Sequence, residues 1–145
     1  MKLIITAGLI LLVDRVSKFV VMAQMTEGQS IPLIPPLLYL TYVQNRGAAF
    51  GFFQGKVALL SAIAVLCLLF ILTQWKLIRT KSAFVRWGVS IALAGAIGNL
   101  VDRLRWGAVI DFVDIRVFVF NVADVAIVFG VALLFWEVLV HDRQR

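Results

Sequence analysis

The chain has 145 residues, 62% of them hydrophobic and only 15% charged, with a mean hydropathy of +0.99 and a net charge of +6. A soluble domain is closer to about half apolar and about a quarter charged, so the excess points to membrane insertion and away from a soluble globular fold. The positive charge is no nucleic-acid signature, because no basic stripe interleaved with aromatics runs through a polar domain. In a membrane protein Lys and Arg report orientation instead.

Four windows, 3–22, 57–75, 84–101 and 122–140, each approach the roughly 20 residues needed to cross a ~30 Å hydrocarbon core. They predict an all-α integral membrane protein, a four-transmembrane-helix bundle with a small extracytoplasmic β/loop element, in one domain over 1–145. Lys2 and the apolar run after it imitate a secretory leader. "DRVSK" then follows where a small-residue cleavage site belongs, so the first window is expected to be retained. Within it Asp14 and Lys18 stand at i and i+4, acid first, the favourable order for a helical ion pair. At ~1.5 Å rise per residue Asp14 lies roughly 16 Å from Leu3, past the midplane towards the outside. An intramembrane pair of this kind is either part of a functional site or a clamp between helices.

Residues 23–56 form a long outer loop. "IPLIPPLLYLTYVQN" opens on prolines that discourage helix and runs into β-favouring residues, which predicts a short strand pair on the outer membrane surface. "VFVF" at 117–120 is a candidate further strand. The glycines of "NRGAAFGFFQG" permit tight turns, and the aromatic "FGFF" is expected to cover a pocket there. The second window holds Cys67, the single cysteine, which excludes a disulfide within the chain. Lys76, Arg79, Lys81 and Arg86 crowd the next short loop, which contains no acid. Together with Lys2, Arg143 and Arg145 they place both termini and the 76–86 loop in the cytoplasm by the positive-inside rule. In the third window Ser90, Ala94 and Gly98, and Gly88, Ala92 and Ala96, recur every four residues. Such stripes let neighbouring helices approach closely.

Asn99, Asp102 and Arg103 close the third window, Asp111 and Asp114 follow in the outer loop 102–121, and Asn121 and Asp124 open the fourth. Asp114 and Arg116 read as a solvated boundary pair, whereas Asp124 lies within or against the apolar run. The inventory then narrows the chemistry. The one histidine, His141, falls in the cytoplasmic tail, which disfavours Ser–His or Cys–His nucleophiles and a His/Cys zinc site. Ser17 and Lys18 are adjacent and point about 100° apart on a helix. No Gly-rich phosphate loop or dinucleotide fingerprint is present. Carboxylates remain. Two of them held close in a partly desolvated site do not both ionise, which puts an acid and a base in one place. Such a pair activates a water and protonates a leaving amine; which two of Asp14, Asp102, Asp111, Asp114 and Asp124 form it is open at this level. A proton-coupled transporter would carry its acid near mid-helix, and a membrane adaptor would need no carboxylate in particular. Acids gathered at one boundary beside asparagines favour hydrolysis.

"DRVSK" at 14–18, "NRGAAFGF" at 45–52, "GNLVDR" at 98–103, "VIDF" at 109–112 and "FNVADV" at 120–125 occur in this order at specific spacing. On these motifs the chain resembles the bacterial lipoprotein signal peptidases, or signal peptidase II, over almost its full length. Arg15 is a departure, standing where members of that family commonly carry Gln. The resemblance implies a membrane aspartic endopeptidase with Asp111 and Asp124 as catalytic aspartates. It implies supporting roles for Asp14, Lys18, Asn45, Asn99, Asp102, Arg103 and Asn121. The implied substrate is a prolipoprotein whose lipobox cysteine already carries diacylglyceryl, cut immediately before that cysteine. Neither a metal nor an organic cofactor is implied. The expected setting is the bacterial plasma membrane, multi-pass, with the site at the extracytoplasmic face. Membrane lipids and the substrate are the expected partners of a monomer, with no nucleic acid.

Overall fold

The computed structural model describes residues 1–47 and 53–142. Apolar runs without proline become helix: α1 (Lys2–Gln24), α2 (Val57–Thr73), a one-turn α3 (Trp75–Ile78), α4 (Ala83–Trp106) and α5 (Val122–Asp142). α4 starts where the Ser82 hydroxyl accepts from the Val85 N–H at 3.3 Å. It ends at Gly107, whose φ of +66° suits a residue without Cβ and whose N–H returns to the Arg103 carbonyl at 3.1 Å. Asp102 and Arg103, expected in the outer loop, therefore belong to the last turns of a helix. The chain is mostly helical, and α4 and α5 are long and apolar enough to cross a membrane. α1 is interrupted by Asp14, Arg15 and Lys18, and α2 has only 17 residues.

Burial is inverted relative to a protein in water. Ile4, Phe70, Val128 and Phe135 are exposed, whereas Asp14, Lys18, Asn99 and Asp102 are buried. Hydrocarbon around the helices explains both halves, since it welcomes apolar side chains and forces polar ones to pair internally.

α4 lies at the centre, packed along α5 and α1, with α2 leaning on it. Small residues make the α4–α5 seam. A Cβ at Gly88 would come 2.8 Å from the Gly130 carbonyl, and one at Gly130 would come 2.5 Å from that of Gly88. Of the predicted stripes, Gly88, Ser90, Ala94 and Gly98 are buried, and Ala92 and Ala96 are half-buried. Gly95, on neither stripe, sits against the Ala123 carbonyl and Ile127.

The outer segments form one antiparallel sheet in the order β1 (Ser30–Ile34), β2 (Leu38–Asn45), β3 (Val109–Asp114), β4 (Val119–Phe120). The predicted strand pair is β1–β2, and "VFVF" supplies β4. Between them lies β3, which periodicity missed because five of its six residues are buried and no alternation remains. Register places Val43 opposite Asp111 and Asn45 opposite Val109. Val21 of α1 and Met25 just after it join Tyr42, Ile110 and Phe112 in an apolar cluster that fastens the sheet to the helices. Phe50 and Phe52 of the expected aromatic cover lie outside the described residues.

Candidate active site

The site is built around the first turn of α5. Asn121 precedes the helix, and its side-chain oxygen accepts from the Asp124 N–H at 3.0 Å while Asp124 Oδ2 accepts from the Asn121 N–H at 3.2 Å. This reciprocal arrangement is a capping box, with Asp in place of the usual Glu or Gln. A third orphan donor, the Ala123 N–H, reaches Asp14 Oδ1 of α1 at 3.0 Å. The "NVAD" stretch is thus a helix start whose capping carboxylate also faces a cavity.

Behind it lies a buried ionic cluster. Lys18 Nζ contacts Asp14 Oδ1 at 3.0 Å and Asp102 Oδ2 at 2.7 Å, and donates to Asn99 Oδ1 at 2.9 Å. The i, i+4 pair is present, and through Asp102 it also clamps α1 to α4. Asp102 Oδ2 accepts as well from the Ile110 N–H at 3.3 Å, joining α4 to β3. Asn99 passes the chain of contacts outward, its Nδ2 donating to Asp124 Oδ1 at 2.7 Å.

β3 carries Asp111, only 2% exposed. Both its oxygens accept from amides: Oδ1 from Asn121 Nδ2 at 2.6 Å and Oδ2 from Asn45 Nδ2 at 2.9 Å. Asp111 and Asp124 line the same cavity of about 350 Å³, together with Asn45, Asn99 and Arg103. Phe118, Phe120 and Val128 supply apolar wall. Burial, and next the charge of Asp124, push the Asp111 carboxyl up to about 7; the Asn45 and Asn121 amides and Lys18 pull the other way without prevailing. A group at that value exchanges its proton at neutral pH, as an acid–base catalyst must. The Arg103 side chain lines the cavity and makes no hydrogen bond or ion pair with another described residue.

All nine residues named from the sequence meet here, on five elements: Asp14 and Lys18 from α1, Asn45 from β2, Asn99, Asp102 and Arg103 from α4, Asp111 from β3, and Asn121 and Asp124 at the start of α5. Asp114 does not join them, and it is not solvated as expected. It is buried, with Oδ2 accepting from the Thr41 hydroxyl at 2.7 Å and Oδ1 from the Arg116 N–H at 2.7 Å. The Thr41 bond, above all, holds its carboxyl below the usual range. It is a turn-forming anion on the sheet.

The family model described as Signal peptidase (SPase) II matches residues 6–140. The chain belongs to the signal peptidase II family. Among relatives of this signal peptidase II chain, the lipoprotein signal peptidase of Pelotomaculum thermopropionicum is 44% identical over 100% of the chain and 95% of its own length. That of Moorella thermoacetica is 40% identical over 100% and 97%. A bacterial membrane enzyme solved by the in meso method at 2.3 Å superposes with a TM-score of 0.93 at 29% identity, covering 99% of this chain and 91% of that one. The chain is accordingly a membrane protein and a peptidase.

One participant escaped the sequence reading. Arg15, noted only as a departure from the family pattern, donates to both Asp14 and Asp102. Its signal was positional: one residue from Asp14, with two further buried charges to balance.

Proposed function

We propose that this chain is an aspartic peptidase that removes the signal peptide from diacylglyceryl-modified prolipoproteins, cutting immediately before the lipidated cysteine, with Asp111 and Asp124 as the catalytic pair. The observation that carries the reading is that these two carboxylates line one cavity, each held by asparagine amides, and that Asp111 sits near 7. At neutral pH the pair holds one proton. The ionised member takes a proton from water as its oxygen attacks the scissile carbonyl carbon. The protonated member gives its proton to the carbonyl oxygen. Collapse of the tetrahedral adduct breaks the C–N bond as the first carboxyl gives the amine nitrogen the proton it took from water and the second carboxylate takes back the proton from the adduct's hydroxyl, leaving a carboxylic acid that ionises on the signal peptide and a free amine on the cysteine. Arg103, whose side chain lines the cavity without a hydrogen bond to another described residue, is suited to grip a substrate carbonyl; Asn45, Asn99 and Asn121 hold the carboxylates, and Asp14, Lys18 and Asp102 support them.

The enzyme works as a single domain and a monomer, with α1, α2, α4 and α5 as four membrane spans. Both termini and the 76–86 loop lie in the cytoplasm, and the sheet and the pair lie at the outer face of the bacterial plasma membrane. That depth suits a substrate whose signal helix and acyl chains already reside in the bilayer. The helix unwinds locally, and the polar pocket satisfies the backbone groups thus freed. The assay is release of signal peptide in detergent from a prolipoprotein with and without its diacylglyceryl group. Cleavage of the lipidated form alone is expected; equal cleavage of both would remove the lipid from the specificity.

A further inference from the structure

Asp14, Lys18 and Asp102 are fully buried, two anions with one cation. Alone, that trio would carry a net negative charge where little water reaches it, a costly state. Arg15 completes it. Its Nη1 donates to Asp102 Oδ1 at 2.6 Å, its Nη2 to Asp14 Oδ2 at 2.5 Å and to the Gly98 carbonyl at 2.9 Å. Lys18 takes the remaining oxygen of each carboxylate, Asp14 Oδ1 and Asp102 Oδ2. Two cations and two anions close a ring whose formal charges sum to zero. Lys18 then has one proton left, and it goes to Asn99 Oδ1. An ammonium only donates, so Asn99 turns its oxygen to Lys18, where Asn121 Nδ2 also donates to it at 3.2 Å, and its NH₂ to Asp124.

We infer that Arg15 is a positioning residue for the reaction: by balancing the buried ring it keeps Lys18 directed at Asn99 and Asn99 directed at Asp124. The inference rests on Asp111 and Asp124 being the catalytic pair. Arg15 touches no substrate in this scheme, since it lines a separate crevice of about 530 Å³ with Phe19, Arg105 and Trp106. The ionisable groups facing the pair are Lys18 from α1 and Arg103 from α4, with Asp14 and Asp102 behind Lys18; β2 brings only the uncharged Asn45.

The test is the pH profile of kcat/KM for cleavage of a diacylglyceryl-prolipoprotein in detergent. Arg15→Gln leaves the ring one negative, so the limb that reports the pair moves up by roughly 0.5–1 pH unit, the size a unit charge about 10 Å away produces at an intermediate dielectric. Asp102→Asn leaves it one positive and moves the limb down by a similar amount. The double variant restores neutrality, and the limb returns towards its wild-type position. Arg15→Lys keeps the charge and loses the fork, so kcat falls while the limb stays. KM stays within about twofold for Arg15→Gln, as expected for a residue outside the cavity. A merely structural Arg15 would lower thermal stability and leave every limb in place, and an unmoved limb in either single variant that purifies overturns the inference. If the wild type cuts but Asp111→Asn cuts equally well, the reading of the catalytic pair fails instead, which separates the two.

Discussion

Asp111→Asn is the substitution whose consequences the structure defines most fully, because it acts on rate and stability in opposite directions. The amide does not exchange the proton, so cleavage should fall on the order of 10³-fold or more, and the double variant with Asp124→Asn should be scarcely worse, as for groups that act as a unit. Stability follows a different rule. Burial and Asp124 hold the Asp111 carboxyl at about 7, against an ordinary value of 3.8. A group whose pKa is raised by folding costs nothing below the lower value. It costs progressively more as pH rises between the two, where only the unfolded chain has released the proton, and the cost is constant above the higher one. At about 1.4 kcal/mol per pH unit this amounts to about 4 kcal/mol at pH 8. The amide removes that cost and introduces another. Both oxygens of Asp111 now accept from amide donors, so an Asn must point its own NH₂ at one of them, leaving a buried mismatch of about 1–3 kcal/mol. Melting in detergent should therefore find Asp111→Asn less stable than wild type at pH 4 and more stable at pH 8. Asp114→Asn, whose partners include a hydroxyl free to reverse, should keep substantial activity and show no such crossover. A difference in Tm between Asp111→Asn and wild type that is the same at both pH values would refute the reasoning.

Arg103→Lys keeps the charge but loses the planar fork; cleavage should drop about tenfold or more with normal insertion, and wild-type kinetics would take Arg103 out of the site. Gly95→Ala drives a methyl into the Ala123 carbonyl and Ile127, which should cost on the order of 2 kcal/mol and lower the melting temperature in detergent, whereas Leu93→Ile should be nearly neutral. Equal melting of the two would mean that α4 and α5 are not seated as described. Reporter fusions at Gln29 and Arg145 should fall on opposite sides of the membrane; finding both on one side would end the four-span topology.

The helices were legible because lipid selects for unbroken apolar runs, and β1 and β2 because prolines and β-branched or aromatic residues follow one another in one short loop. The misplaced element was the end of α4. Charge at Asp102 and Arg103 predicts the end of the span, yet helix continues to Trp106, with the carboxylate of Asp102 satisfied inside by Lys18 and Arg15. Hydropathy registers the charge and not its partner. Asp114 failed for the same reason, its hydroxyl and backbone donors being invisible in composition. β3 was hidden by burial of nearly every residue along it. Motif order pointed to the nine site residues, but the contacts among them, and the place of Arg15, needed coordinates.

The Asp14 carboxylate that closes the first turn of α5 joins the first helix of this chain to the last. Synthesis makes them in that order, with the whole of the protein in between. Until α5 is made and packed, Asp111 has no Asp124 beside it in the cavity. On the proposed reading, a chain cut short before α5 lacks half of the pair and should not cleave. The same geometry predicts that the enzyme is divisible: α1 supplied as a separate polypeptide should restore activity to the remainder, since its polar contacts and its packing against α4, α5 and β3 seat it without a covalent connection.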